Sequence, residues 1–148
     1  MAVLAAFAVP HPPLIIPEVS PGKEREIPDT VAAYREVGRR VAALRPDTVV
    51  VSSPHAPLYA DYIQISSGPG ARGDFSQFGA RKPRYKIRYD QDLAAEIERE
   101  GVADDIATGT LGRQDRDLDH GTLIPIHFIE EACSAAGVAS PEYVRLSL

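Results

Sequence analysis

The first 52 residues alternate two apolar runs with an amphipathic helical pattern, and this order limits the fold more than any other feature of the chain. The first run, Val3–Val9, is short and is stopped by Pro10. The second run, Thr48–Ser52, is rich in β-branched residues, which is typical of a strand covered on both faces. Between the runs, apolar residues recur at helical spacing, namely Val31, Tyr34, Val37, Val41 and Leu44. The pattern predicts a strand–helix–strand unit with a right-handed crossover and two parallel strands.

Capping and turn residues predict where the first helix lies and where later elements follow. Asp29 or Thr30 is predicted to cap that helix and Pro46 to stop it. Further strands are predicted at Tyr62–Ser66, at Tyr85–Tyr89, within Val102–Thr110 and at Tyr143–Leu148, and further helices at Asp90–Glu100 and Gly121–Ala136. The stretch Ser67–Arg84 is predicted to be a loop, and its glycine-rich part Gly68–Gly73 to be a mobile loop over the pocket.

The later helices carry their own boundary signals. Asp90 or Asp92 is placed to cap the first of them, Gly101 to end it, and Gly137 to end the last helix. Together these elements predict an α/β fold. We expect a central, mostly parallel or mixed sheet with helices on both faces and added antiparallel edge strands.

Composition narrows the class of protein. The chain has 148 residues, so we expect a single domain over residues 1–148, and its end on a predicted strand indicates the N-terminal part of a longer domain. Its 16 Lys and Arg are scattered among 21 Asp and Glu, which argues against nucleic acid as a partner. No apolar stretch is long enough to span a membrane. The lone Cys133 and the absence of a basic leader predict a cytoplasmic protein.

Two histidines follow the two predicted parallel strands. His11 comes after Val3–Val9 and His55 after Thr48–Ser52, and prolines restrict the loop around each. Because ligands bind at the carboxyl ends of strands in open α/β sheets, both imidazoles are expected in one crevice. Neutral imidazole suits Fe, Zn, Cu or Ni, so the pair predicts a metal site. The alternative is that each histidine only forms hydrogen bonds within its loop.

The other two histidines fall on the last predicted helix. His120 stands at its start, where the helix dipole favours a neutral imidazole, so it is a candidate general base. The alternative is a purely local role beside the capping residues Asp119 or Thr122. His127 lies two turns on and is interpreted first as a packed residue and second as a pocket residue. Cys133 is interpreted as packing within the same helix.

Several segments occur in the order found in a known family. They are His11-Pro-Pro13, Ser52-Ser-Pro-His-Ala-Pro57, Asp74-Phe-Ser-Gln-Phe-Gly79 and Leu118-Asp-His-Gly-Thr-Leu-Ile-Pro125. With them the chain resembles the B-type subunit in the class III extradiol ring-cleavage dioxygenase superfamily. Within that superfamily it is most similar to the bacterial dioxygenase-like proteins associated with the AmmeMemoRadiSam gene system.

The resemblance implies a function and a set of roles. It implies a non-haem Fe(II) dioxygenase that cleaves catechol-type aromatic diols with O2, in which His11 and His55 bind the metal and His120 is the acid/base. The family's third ligand is a glutamate from a C-terminal part that this chain does not include. The acidic residues present match no family ligand; the candidates are Glu18, Asp61, Asp74, Glu130 and Glu131. Activity of the 148-residue chain is therefore expected to depend on completion of the site.

Two other functions remain open from the sequence. A non-catalytic relative would keep the scaffold and act in assembly, as a homo-oligomer or with a complementing chain that pairs with an open sheet edge. A hydrolase would use Zn at His11 and His55 with His120 as base, because imidazole does not distinguish Zn from Fe. Tyr59 and Phe78 are the aromatic residues we expect nearest an aromatic substrate.

Overall fold

The computed structural model describes residues 2–114 and 116–147 as an α/β fold. In these residues the helices are α1 (Pro28–Leu44), α2 (Gln91–Ala103) and α3 (His120–Ala136). The strands are β1 (Thr48–Ser53), β2 (Ile63–Gln64), β3 (Gly70–Phe75), β4 (Ala80–Arg88), β5 (Thr108–Gly109) and β6 (Glu142–Ser147). Short 3-10 helices lie at Pro13–Ile15, Lys23–Glu26 and Ser76–Phe78. The last residue of the predicted strand Tyr143–Leu148 lies outside the described residues.

The strands form three two-stranded sheets that single bridges connect. β1 and β6 are parallel, β2 and β5 are parallel, and β3 and β4 form an antiparallel hairpin. Isolated bridges at Ile65–Leu146 and Tyr89–Tyr143 link the other sheets to β6. The predicted α/β class with mixed strand directions is confirmed, although the described strands do not form one continuous sheet.

Helices cover both faces of the β1–β6 pair, as predicted. On one face, Val49 of β1 packs with Val41 of α1 and Ile129 of α3. On the other face, Val144 of β6 packs against α2. This second face is incomplete at β1, where Val50 is 49% exposed. The prediction that β1 is covered on both faces is therefore wrong, because α2 lies over β6 and not over its neighbour.

The longest helices, α1 and α3, pack closely at a glycine. A Cβ atom at Gly38 would lie 2.4 Å from the main-chain oxygen of Phe128, so only glycine lets the two helices approach this far. One turn away, the rings of Tyr34 and Phe128 stack with their centroids 4.6 Å apart. This packing fixes α3, whose first residue is His120.

The predicted N-terminal strand Val3–Val9 is wrong. Residues 2–10 form no strand, and most are exposed, Val3 to 90%. A strand needs a neighbour for its backbone N–H and C=O groups, and here a cavity separates the segment from β1. The expected strand–helix–strand unit is not formed, since β1 pairs with β6 instead.

The predicted loop over Ser67–Arg84 is also wrong. It contains β3 and the first half of β4. At Gly70, where φ is +146°, a Cβ atom would lie 2.0 Å from the main-chain oxygen of Ile87. The glycines that suggested a mobile loop over a pocket instead let two backbones approach within a hairpin.

Helix boundaries agree with the predictions in part. α1 begins at Pro28 with Ile27 before it and no side-chain cap, so neither Asp29 nor Thr30 serves as the cap. Asp90 caps α2 by accepting a hydrogen bond from the Leu93 amide, as predicted. α2 continues through the predicted stop at Gly101 to Ala103.

The remaining element predictions hold with small shifts. α3 ends at Gly137, which adopts the left-handed conformation expected of a helix stop. Short strands occur within both Tyr62–Ser66 and Val102–Thr110, and β4 contains most of Tyr85–Tyr89. Among the residues that the structure describes, no helix is both long and apolar enough to cross a membrane.

A Gly38→Ala substitution tests whether helix propensity or packing against α3 dominates the change in stability at this position. Propensity alone would stabilise α1 by about 1 kcal/mol. The contact with the Phe128 carbonyl predicts the opposite, a loss of about 1–3 kcal/mol in the free energy of unfolding, because main chain has to move. Urea denaturation measures the difference, with exposed Ala33→Gly calibrating propensity in the same helix. A Gly38→Ala variant more stable than the parent would contradict the packing argument.

Candidate metal centre

Three histidines that are distant in the sequence meet at one place. The Nε2 atoms of His11 and His55 are 3.0 Å apart. The ring of His120 lies 4.1 Å from that of His55 and 5.6 Å from that of His11, measured between centroids. One ring nitrogen from each residue falls within 4.8 Å of the others. The structure thus brings together the three residues that the sequence singled out.

Each histidine is positioned by a different element. His55 follows β1 in a turn, where its amide donates a hydrogen bond to Ser53 Oγ at 3.2 Å. His120 is the first residue of α3, directly after the cap Asp119. His11 follows Pro10, whose carbonyl accepts a hydrogen bond from the buried Tyr34 hydroxyl of α1. The cluster therefore depends on packing between α1, β1 and α3.

A buried polar network connects the turn after β1 to the start of α3. Asp119 Oδ1 accepts hydrogen bonds from Ser53 Oγ at 2.7 Å and from the Thr122 amide at 3.0 Å. Its Oδ2 accepts from Thr122 Oγ1 at 2.8 Å and from the Arg145 guanidinium at 2.7 Å. Arg145 lies on β6 and is only 1% exposed. One carboxylate thus joins the end of β1, which leads to His55, the start of α3, which carries His120, and β6.

The network sets the charge of Asp119. Burial by itself raises the pKa of this carboxyl, but the hydrogen bonds from Ser53 and Thr122 and the charge of Arg145 outweigh it. The pKa of Asp119 consequently lies below its ordinary value, and the group is ionised at neutral pH. An ionised Asp119 is what the buried Arg145 requires as a counter-charge.

The surroundings of His120 favour its neutral form. Burial lowers the pKa of His120, the imidazoles of His55 and His11 lower it further, and the charge of Asp119 opposes them. Phe78 contacts His120 edge-on, with the ring centroids 5.3 Å apart. His120 at neutral pH therefore presents a lone pair beside an apolar ring.

The geometry of the donor set fits one transition-metal ion. Nitrogen ligands lie about 2.1 Å from such an ion, so two bound at right angles lie about 3.0 Å apart. His11 Nε2 and His55 Nε2 have this separation. One ring nitrogen of His120 lies within 4.8 Å of a ring nitrogen of each of the other two histidines. The first two histidines fit as a ligand pair, with His120 beside them.

Other residues singled out from the sequence lie elsewhere. His127 Nδ1 is 2.6 Å from the Tyr85 hydroxyl, in the half-buried position that its first interpretation expected. Tyr59 packs edge-on against Tyr62, and its hydroxyl accepts a hydrogen bond from the Arg113 amide at 2.9 Å. Only Phe78 of the two aromatic candidates contacts the histidine cluster.

No carboxylate belongs to the histidine cluster within residues 2–114 and 116–147. Glu130 accepts hydrogen bonds from Tyr143 and Ser140, and Asp74 accepts one from the Ser76 amide. Asp119 is adjacent in sequence but uses its oxygens for the network described above. None of the acidic candidates is placed as a further ligand.

Sequence reasoning missed Arg145 and Ser53. The predicted strand Tyr143–Leu148 contains one charged residue among apolar ones, and a cation in a buried strand requires an acid nearby. That signal was available, but it does not identify the acid. Only the fold brings Arg145 to Asp119, 26 residues earlier.

Asp119→Asn is expected to destabilise the chain strongly. It removes a negative charge that faces buried Arg145, and loss of one partner of such a pair costs about 3–5 kcal/mol. Combining it with Arg145→Met should recover part of the loss in urea denaturation. Glu36→Gln, which breaks an exposed pair with Arg40, serves as the control and should cost under about 1 kcal/mol. Equal effects of the two single substitutions would contradict a buried, coupled pair.

The same network predicts a dependence of stability on pH. The pKa of Asp119 is lower in the folded chain than in the unfolded one. Its contribution to the free energy of unfolding is therefore complete above about pH 4 and is lost as the pH falls through the folded-state value. Urea titrations from acid to neutral pH should show a steeper acid loss for the parent than for Asp119→Asn. Parallel slopes would refute this assignment.

Comparison with known proteins agrees with the motif order. The chain matches the family described as the catalytic LigB subunit of aromatic ring-opening dioxygenase over residues 5–143. It is 25% identical over 154 aligned residues to Protein CA_C1420 of Clostridium acetobutylicum. That alignment covers 99% of this chain and 33% of the relative, so the chain spans about a third of the length of that curated relative.

The family match includes all three histidines of the cluster and the contact between Ser53 and Asp119, whereas Arg145 lies beyond the matched residues. It confirms the resemblance drawn from the His11, His55 and Leu118–Pro125 motifs. The chain therefore belongs to the family of catalytic LigB subunits of aromatic ring-opening dioxygenases, within the class III extradiol dioxygenase superfamily.

Proposed function

We propose that this chain carries the metal centre of an Fe(II)-dependent extradiol dioxygenase that opens catechol-type rings with O2. His11 and His55 are the metal ligands and His120 is the acid/base in this proposal. The observation that carries it is the convergence of three imidazoles from three separate segments. Family membership supports the reaction class, and the ligand roles rest on the geometry of this chain.

The donor set supports a transition metal. Two neutral imidazoles with open positions beside them suit Fe(II), Zn(II) and related ions. When bound there, Fe(II) would supply Lewis acidity toward a diol and a template for the diol and O2. The side chains of His11 and His55 hold their nitrogens at a separation that one ion can bridge, without a change of fold.

His120 is proposed to move the proton. Its imidazole lies beside both ligand histidines, so an oxygen of a diol bound between them would be within reach of its ring nitrogen. The neutral imidazole accepts a phenolic proton and can return it after the ring opens. Asp119 positions this residue as the cap of α3, and the Phe78 ring forms an apolar wall beside it.

The site as described is proposed to bind iron weakly. Two imidazoles without a carboxylate hold Fe(II) poorly, and no carboxylate joins the described cluster. Full activity is therefore proposed to need a further ligand from polypeptide outside the residues described. The length of the curated relative, of which this chain covers 33%, is consistent with such a requirement.

Iron uptake tests the ligand pair. Loaded with Fe(II) under anaerobic conditions and desalted, His11→Ala and His55→Ala should each retain at least about tenfold less iron than the parent, because one imidazole remains. His127→Gln is the matched control, since it removes a histidine outside the cluster. Iron retention in His11→Ala equal to that of the parent would remove the basis of the proposal. Parallel loading with Zn(II) compares the two metals at the same ligands.

Ring cleavage tests the role of His120. The iron-loaded parent should convert a catechol into a yellow ring-opened product, followed by absorbance and by oxygen consumption. His120→Gln should lower kcat by about 10²–10⁴-fold while iron content is unchanged, as for loss of a general acid/base. Turnover in His120→Gln equal to that of the parent would contradict the role proposed for His120. Ester hydrolysis that rises with Zn(II) and not with Fe(II) would favour the hydrolase instead.

A further inference from the structure

A long cavity separates the N-terminal segment from β1. It has a volume of about 1340 Å³, and its lining includes every residue from 2 to 9 on one side and from 47 to 52 on the other. Successive side chains of an extended segment point to opposite faces. A cavity lined by consecutive residues therefore meets each segment along its backbone edge, and not along one face.

The two edges across this cavity are free to pair. β1 pairs with β6 along one edge, and no described strand pairs with the other. Residues 2–9 form no strand among the residues described. Each segment leads into a histidine, and His11 and His55 meet at 3.0 Å. Residues 2–9 and β1 therefore flank the cavity from opposite sides and converge at its histidine end.

The side chains around the cavity define what would fit. On the face covered by α1 and α3, the lining is apolar and includes Val41, Leu44 and Ile129. On the face of α2, it includes the carboxylates of Asp92 and Glu96. The lining also contains Asp47, Asp90 and Glu142 but only one guanidinium, that of Arg45. Glu96 and Glu142 already pair with Arg99 and Arg88 outside the lining. The remaining acids, Asp47, Asp90 and Asp92, still outnumber Arg45, so the charge of the lining favours a cationic occupant.

Four apolar side chains in the cavity lining are exposed to solvent. Val3, Leu4 and Phe7 are exposed to 90, 57 and 39%, and Val50 to 49%. All four line this cavity. Apolar residues grouped in this way mark an interaction surface more often than a solvated one.

We propose that residues 2–9 and β1 form a slot for one β-strand from another segment of polypeptide. The strand carries apolar side chains toward α1 and α3 and lysine or arginine toward α2. Main-chain hydrogen bonds to both edges give affinity, and the alternating side chains give specificity. The occupied slot joins the N-terminal segment, the inserted strand, β1 and β6 into one sheet.

A second copy of this chain is a poor occupant. Its own exposed apolar segment, Val3–Val9, contains no charged residue. Its basic and apolar alternation occurs in β4, which is already paired with β3. The curated relative offers more polypeptide, since this chain covers 33% of its length. The charge pattern therefore favours a strand that lies outside residues 1–148.

A short peptide tests the slot directly. The probe is a labelled, end-blocked heptapeptide of alternating valine and lysine, titrated by fluorescence anisotropy in the presence of EDTA. A version N-methylated at alternate residues keeps its charge and apolar surface but loses the strand's hydrogen bonds. It should bind at least about tenfold more weakly. Because no metal is present, the result is independent of the proposed dioxygenase chemistry.

Variants of the chain locate the binding. Val50→Lys places a cation in the slot and should weaken binding of the peptide at least about tenfold, whereas Val102→Lys makes the same change at an exposed position of α2 outside the lining. Asp92→Asn with Glu96→Gln should weaken the lysine peptide and leave a valine and threonine peptide unchanged. Hydrogen exchange should show new amide protection at residues 3–9 and 48–53 when the peptide binds.

Several results would overturn the proposal. One is equal affinity of the N-methylated and unmodified peptides, which would indicate attraction by charge alone. Another is no binding of the unmodified peptide, or the same affinity in Val50→Lys and Val102→Lys. Sedimentation that shows a dimer, lost in Val50→Lys, would assign the slot to a second copy instead.

Discussion

The buried contact between Arg145 and Asp119 is the interaction on which the site depends. A guanidinium that is 1% exposed is costly unless a carboxylate lies against it, and the 2.7 Å contact with Asp119 supplies that partner. The same carboxylate caps α3 and accepts a hydrogen bond from Ser53 at the end of β1. Three elements are thereby tied at the point where the histidines emerge. Without the Asp119 carboxylate, no such hydrogen bonds would hold the end of β1 against the start of α3.

The Arg145–Asp119 contact contrasts with the sparse main-chain pairing between the strands. The strands form two-stranded units joined by single bridges, so little continuous main-chain pairing holds them in register. His55 and His120 lie on the well-connected side. His11 follows the exposed segment 2–10 and is held through the Tyr34 hydroxyl at Pro10. The ligand pair therefore consists of His55, which is firmly held, and His11, which lies beside the cavity.

The slot and the metal centre are consequently connected, because residues 2–9 and β1 flank the slot and lead to His11 and His55. The cavity between residues 2–9 and β1 reaches His11 and Gly121 at its end. A strand placed there would fix the direction in which His11 approaches His55, because it would bind both segments that lead to them. Preorganised ligands bind metal more tightly than mobile ones, since less conformational freedom is lost. Completion of the sheet would in this way support the chemistry proposed for the histidines.

Local patterns in the sequence were sufficient for α2, α3 and the core of β1. Asp90 and Gly137 predicted their helix boundaries because capping acts within one turn. The histidine motifs likewise predicted which residues would gather, although His11 does not follow a strand as expected. The strand at Val3–Val9 failed because an apolar run indicates burial but does not specify a neighbour. The Ser67–Arg84 hairpin was missed because glycine signals a turn and a close backbone approach equally well.

The sequence by itself determined the α/β class, the helical periods and the identity of the three histidines, since each depends on residues close together in the chain. Only the tertiary structure decided that Arg145 meets Asp119, that β1 pairs with β6 and that no other strand in residues 2–114 and 116–147 pairs with β1. These facts depend on contacts between segments far apart in sequence. Pairing and charge compensation over such distances are set by packing of the whole fold, which no local pattern encodes.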